Sequence, residues 1–257
     1  MSLTLGISER APHVFEHELS GGFAGVRAVL FDVDGTLYAQ TPLRLKMAAE
    51  LAVAGMRAPR KIARDARILA TFRRMREELR QEGGAASRPL DVLQFARPAA
   101  RLGIDAADIE QVVDEWIMQR PLKHLRSARR PGLGRFLSLL ADRGLRVGAL
   151  SDYPVHTKLR ALGVADYFSL GLCTADRPIN AFKPHPGGFR HACELWGVAP
   201  QEVLYVGDRP ETDGAGAAAA GIRCVIVGRG GNRGATGDGG RATVAAFTEL
   251  TRAFVAG

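Results

Sequence analysis

The run Arg27-Ala28-Val29-Leu30-Phe31-Asp32-Val33-Asp34-Gly35-Thr36 decides the fold. Its apolar part is too short for a helix and stops at Asp34-Gly35. It therefore predicts a buried strand that ends in a sharp turn. Similar runs follow at 145–150, 203–206 and 222–227, with a weaker one at 167–172. Helical stretches separate the later runs and begin near Pro154, Pro186 and Pro210, where proline suits a first helical turn. Strands alternating with helices predict an α/β fold: a Rossmann-like, mainly parallel sheet covered on both faces.

Residues 41–121 follow a different rule. Ile68, Phe72, Met75 and Leu79 are spaced four, three and four apart, and Ile109, Val112, Val113, Trp116 and Ile117 keep helical spacing. Gly83 to Pro89 interrupts them. The pattern predicts a smaller all-α insert of about four helices, leaving the core near Tyr38–Thr41 and rejoining it near Pro121–Pro131. The core is then 1–40 together with 122–257. Residues 228–240 are glycine-rich and read as a loop ahead of a last helix holding Phe247, Leu250 and Phe254.

Composition narrows the function classes. Apolar residues make up 46% of the 257, enough for a buried core. No stretch approaches the roughly 20 apolar residues that span a bilayer. Glu9, Glu16 and Glu18 lie where a secretory segment would need an apolar core, so a cytoplasmic protein is expected. Cys173, Cys193 and Cys224 sit among apolar neighbours at spacings that suit neither zinc nor a redox pair, as buried free thiols would. The net charge is +8, and all of the excess lies in 41–130, which holds 19 Lys/Arg against 11 Asp/Glu. Such a segment can steer an anionic ligand or be a solvated helical face. The short Gly/Arg run 229–241 lacks aromatic residues, which weighs against nucleic acid as a partner. Gly214-Ala215-Gly216 fits a loose dinucleotide pattern but falls inside a predicted helix, where small residues that pack against the sheet explain it better.

Four segments carry chemistry, and three of them end predicted strands, where the crevice of an open parallel sheet lies. Asp32 and Asp34 stand two apart at the first strand end. Carboxylates desolvated so close together need a compensating cation, and a carboxylate can attack phosphorus. Ser151, with the amides that follow it, can bind a phosphate oxygen. Lys183, in Phe182-Lys183-Pro184, is held among apolar and proline neighbours, where a fixed ammonium could neutralise phosphate and nucleophile together. Asp208 follows the fourth apolar run, and Asp213 lies one turn on. Oxygen ligands from two strand ends suit Mg²⁺.

Together these segments resemble the haloacid dehalogenase-like superfamily of phosphatases, over residues 27 to 227. The matches are Asp32-Val33-Asp34-Gly35-Thr36, then Ser151, Lys183, and Gly207-Asp208 with Asp213. The resemblance implies a helical cap inserted just after the first strand. It implies that Asp32 attacks phosphorus while Asp34 serves as acid, then base. It gives the phosphoryl group to Ser151, Asp152 and Lys183, and Mg²⁺ to Asp32, the Asp34 carbonyl, Asp208 and Asp213. Asp152 departs from the Asn of many members. An added carboxylate there should turn away or pair with a cation, leaving its amide to serve. The expected activity is hydrolysis of a small phosphorylated metabolite. A phosphomutase or phosphotransferase would use the same Asp32, whereas a dehalogenase would not need Asp34. A catalytically silent binding protein should have lost one of Asp32, Asp34, Lys183 or Asp208, and all four are present.

Overall fold

A computed structural model describes residues 23–83, 88–228, 241–244 and 246–256. Six parallel strands form one sheet: β1 (Ala28–Phe31), β2 (Arg146–Ser151), β3 (Leu170–Cys173), β4 (Val203–Gly207), β5 (Arg223–Val227) and β6 (Arg241–Val244). Their order is β3-β2-β1-β4-β5-β6. The chain builds outward from β1 to β3, then returns to place β4 on the other side of β1. That reversal opens a crevice between the carboxyl ends of β1 and β4. The expected mainly parallel sheet is parallel throughout, and β6 is a strand the sequence reading did not anticipate. Residues 229–240, read as a glycine-rich loop, lie outside the described residues.

Strand β1 is buried along its whole length, and its alternate residues enter different cores. Val29 and Phe31 pack with Phe136, Leu140 and Phe247 on one face. Ala28 and Leu30 pack with Phe189, Tyr205 and Cys224 on the other. The covering helices are few-turn amphipathic pieces, among them α6 (Leu133–Asp142), α7 (His156–Leu162), α8 (Gly187–Trp196), α9 (Ala215–Ala219) and α10 (Phe247–Ala256). All three cysteines are free and buried.

A helical cap follows β1. It comprises α1 (Gln40–Arg57), α2 (Pro59–Gln81), α3 (Leu90–Leu102) and α4 (Ala106–Val113), the last running on through a wider π turn at Asp114–Gln119. Helix α5 (Leu122–Ala128) leads back to the core, and a single antiparallel bridge joins Tyr38 to Arg129 where the chain leaves and returns. The predicted stripe of α2 is the cap's own core: Ile68 and Phe72 are buried against Ile109, Val113 and Trp116. A second apolar seam joins cap to sheet, where Leu79 and Leu90 meet Cys173, Ala175 and Phe182. No described helix is long and apolar enough to cross a membrane.

Candidate active site

The crevice is built from the turn after β1. Asp32 still accepts the strand's register, its amide donating to the Val206 carbonyl at 2.8 Å. The chain then turns at Gly35, whose φ of +105° is open chiefly to glycine. Space demands glycine as well: a Cβ here would lie 2.0 Å from Asp208 Oδ2. Arg130 fixes the turn by donating twice to the Gly35 carbonyl, at 2.9 and 2.6 Å.

Asp32 is buried, with its two oxygens differently held. Lys183 Nζ donates to Oδ1 at 2.6 Å, and Thr36 Oγ1 donates to Oδ2 at 3.1 Å. Lys183 also donates to Asp213 Oδ1 at 2.7 Å and to the Tyr205 hydroxyl at 3.1 Å. Burial disfavours the Lys183 ammonium, but Asp32, Tyr205, Asp213 and Asp152 outweigh it and hold its pKa well above the ordinary lysine value. Asp213 supports the opposite side, its Oδ2 accepting from the amides of Asp208 and Arg209, each at 3.1 Å. It sits on a π turn, Pro210–Gly214, that opens α9.

Asp34 faces away from Lys183. Lys158 of α7 donates to both of its oxygens, at 2.6 and 2.7 Å, Ser151 donates at 3.1 Å, and the Tyr38 hydroxyl adds a further bond. Burial raises the Asp34 carboxyl, yet the Lys158 ammonium and these hydrogen bonds hold it below the ordinary carboxylate value. Its backbone carbonyl accepts from Gln40 Nε2 at 2.7 Å.

Two adjoining cavities share Asp34, Gln40 and Tyr153. The smaller, about 120 Å³, holds Asp32, Ser151, Lys183, Asp208 and Asp213 at the strand ends. The larger, about 250 Å³, rises into the cap between Met47, Trp116, Met118 and Leu125, with Arg44 and Arg73 also lining it. A polar chamber at the sheet and a mostly apolar chamber under the cap suit a phosphoryl group and an organic leaving group, respectively.

The polar chamber fits a divalent cation. Oxygens of Asp32, Asp208 and Asp213 lie within 4.8 Å of one another. Asp208 Oδ1 is buried with no hydrogen-bond partner, which a native structure rarely tolerates without water or an ion. Burial, then the neighbouring Asp213, push the Asp208 carboxyl up to about 6. Asp32 is raised too: burial and three neighbouring carboxylates outweigh Lys183. Oxygen donors without sulfur or imidazole suit a hard divalent cation, of the kind Mg²⁺ and Ca²⁺ represent.

The structure thus brings Asp32, Asp34, Ser151, Lys183, Asp208 and Asp213 to one chamber. Asp152 lines it as well, but its carboxylate points to the cap. It accepts from Arg80 at 2.8 Å and from Thr174 at 2.6 Å, so only its backbone is left for a phosphate. The sequence reading missed Lys158, Tyr38, Tyr205 and Arg80. Lys158 did leave a signal: it shares a helix face with the buried Val155, Leu159 and Leu162, where a lysine needs a partner.

The family model for haloacid dehalogenase-like hydrolases matches residues 26–221. A glyceraldehyde 3-phosphate phosphatase of Methanopyrus kandleri is 29% identical over 210 residues, covering 80% of this chain and 85% of that one. A phosphoglycolate phosphatase of Escherichia coli is 28% identical over 72% of this chain and 75% of its own. A phosphoserine phosphatase of Thermus thermophilus reaches 40%, over only 39% of this chain and 41% of that one. Among solved structures, a phosphatase of the same superfamily from Thermococcus onnurineus aligns with a TM-score of 0.60 at 24% identity, over 89% of this chain and 98% of that one. A 2-haloacid dehalogenase from Pseudomonas syringae gives 0.59 at 23%, over 90% and 98%. At such identities these two likenesses speak to the fold alone. The chain belongs to the haloacid dehalogenase-like hydrolases, as a phosphoric monoester hydrolase among them.

Proposed function

We propose that the protein is a Mg²⁺-dependent phosphatase that hydrolyses a small phosphorylated metabolite in the cytoplasm through an aspartyl-phosphate on Asp32. We assign residues 41–121 to the cap domain, and 1–40 with 122–257 to the catalytic core. One arrangement carries the reading: two differently held carboxylates, Asp32 and Asp34, flank a chamber that also presents Lys183 and Ser151.

Asp32, Asp208 and the Asp34 carbonyl would hold Mg²⁺, with Asp213 behind them. Bound there, the ion supplies positive charge that offsets the crowded carboxylates and the phosphoryl oxygens. Lys183 orients Asp32 and faces the same oxygens, and Ser151 with the amides after it receives the rest of the phosphoryl group. An Asp32 oxygen forms its bond to phosphorus as the bond to the leaving oxygen breaks. The entering phosphoryl dianion draws on the Lys158 ammonium. Asp34, less tightly paired, takes a proton from solvent and delivers it to the leaving oxygen. In the second step Asp34 takes a proton from water as that water attacks phosphorus. The Asp32–phosphorus bond breaks, and inorganic phosphate leaves. The apolar wall of Trp116, Met47 and Met118 with the cations Arg44 and Arg73 suits a leaving group that has an apolar body and an acidic substituent.

The test uses p-nitrophenyl phosphate with Mg²⁺. Turnover should vanish with excess chelator. Asp32→Asn should give neither turnover nor a burst of nitrophenol. Asp34→Asn should form phosphoenzyme but release it slowly, with a burst of up to one equivalent and a steady rate lower by about 10²- to 10⁴-fold. Full activity in chelator, or a burst retained in Asp32→Asn, overturns the reading.

A further inference from the structure

Arg76 and Arg80 lie on the cap helix α2, yet both are directed at the sheet. Arg76 is 4% exposed. Its guanidinium stands 4.1 Å over the Tyr153 ring and 4.5 Å over Phe182, both of the core, and donates to the Asp152 carbonyl at 2.8 Å. Its other nitrogen donates to Gln94 of α3. Arg80, one turn on, donates to Asp152 Oδ2 at 2.8 Å, and both side chains are largely buried. Asp152 Oδ1 is held on the core side by Thr174 at 2.6 Å and by the Lys183 amide at 3.3 Å. One carboxylate is therefore fixed by the core on one oxygen and gripped by the cap on the other. It is joined through Lys183 to the nucleophile Asp32.

We propose that Asp152, Arg76 and Arg80 form a charge clasp that sets the height of the cap over the phosphoryl chamber, making them positioning residues for the reaction. Charge complementarity requires an acid at residue 152. Arg80 donates to its carboxylate and Arg76 to its carbonyl, and Lys183 is already paired with Asp32 and Asp213. A neutral side chain would leave Arg80 with Glu77 of its own helix as its ion partner and remove the acid nearest the buried Arg76, so the charge that holds α2 to the sheet would be gone. Breaking a buried, hydrogen-bonded pair from one side strands the other charge. Relief comes by moving α2 away from the sheet, because the core half is locked into β2 and its neighbours. Arg80 also lines the phosphoryl chamber, so lifting α2 opens that chamber to water and loosens the fit around the phosphate.

The structural arm of the test does not depend on the proposed phosphatase reading, whereas the kinetic arm does. Glu78→Cys on the cap and Glu194→Cys on the core, both exposed, accept spin labels while the three native thiols stay buried. Pulsed spin–spin distance measurement on the full chain should give one narrow distribution. The isosteric Asp152→Asn should shift it to longer distances, Arg80→Met should do the same, and the two together should go no further than either alone. Arg80→Lys should restore most of the short distance. With p-nitrophenyl phosphate and Mg²⁺, Asp152→Asn and Arg80→Met should each raise KM about tenfold with a smaller change in kcat. The double variant should match the singles, as coupled partners do. Unchanged distances in both single variants overturn the clasp, and so do independent, additive effects on distance or on KM. Absence of turnover in every variant, wild type included, defeats the phosphatase reading and leaves the distances to judge the clasp.

Discussion

Asp208 is held under electrostatic tension at its strand end. It faces a glycine that leaves no room for a side chain, one of its oxygens is buried without a partner, and Asp213 stands behind it. Without a bound cation, its ionised form is disfavoured in the fold: the folded value is about 6 against 3.8 for a free aspartate. The sign follows. The folded state binds this proton more tightly than the unfolded state, so Asp208 adds stability as pH falls from about 6 towards 4. Asp32, also raised, acts in the same direction. Asp34 and Asp152 are lowered, so their contribution persists through this window and is lost only below the ordinary carboxylate range. Metal binding reverses the preference, because it needs the ionised oxygens. Thermal unfolding in chelator should therefore give a higher Tm near pH 5 than near pH 7.5, and added Mg²⁺ should raise Tm more at pH 7.5 than at pH 5. Equal Mg²⁺ shifts at the two pH values would mean that Asp208 is not a ligand.

At the scale of elements, much of this molecule was legible in its sequence because the governing patterns are local. β1, β2, β4 and β5 announce themselves as short apolar runs, and their carboxyl ends place Asp32, Ser151 and Asp208 without further information. The four-three-four spacing of α2 likewise predicts its buried stripe. What was not legible depends on which helix faces which strand. Lys158, Arg76 and Arg80 are cations whose positions fall on or beside the buried faces of α7 and α2, and a sequence gives no partner for them. Asp34 and Asp152 supply the partners only once helix, cap and sheet are assembled. Strand β6 was missed for a related reason: four residues after a glycine-rich run carry too little pattern to separate a strand from a loop. The Gly214–Gly216 pattern shows the opposite case, a motif with a plain packing cause. A Cβ on Gly216 would lie 2.5 Å from the Phe189 ring and 3.0 Å from the Pro184 carbonyl, so α9 could not sit where it does on α8. Gly216→Ala should destabilise the fold by about 1–3 kcal/mol through overpacking. In urea the midpoint should fall with little change in slope. An unchanged midpoint would show that α9 moves freely, which would also remove the rigid support of Asp213 on the preceding turn.

At the scale of the whole molecule, the +8 charge is a property of one region and not of the surface at large. Residues 41–130 carry all of it, and the remainder holds 16 basic and 16 acidic residues. The cap itself, 41–121, holds 15 Lys/Arg against 11 Asp/Glu, so half of this excess overhangs the chamber in which the proposed substrate, a phosphate dianion, must arrive, and the other half sits at 122–130 where the chain rejoins the core. Arg44 and Arg73 stand in the wall of the upper cavity, whereas Arg60, Arg67 and Arg101 are exposed elsewhere on the cap helices. Charges of the second kind can act only through the field, which makes them the useful ones to change. Raising ionic strength from about 0.01 to 0.1 M shortens the screening length from about 30 to 10 Å. That should lower kcat/KM several-fold while kcat moves little, because screening weakens the encounter of opposite charges and not the chemistry that follows. Replacing Arg60, Arg67 and Arg101 together by Glu should lower kcat/KM at low salt and flatten its salt dependence, with kcat preserved. If the salt response of the triple variant matches that of the parent, the cap's charge is a solvated helical face and the substrate finds the chamber unaided.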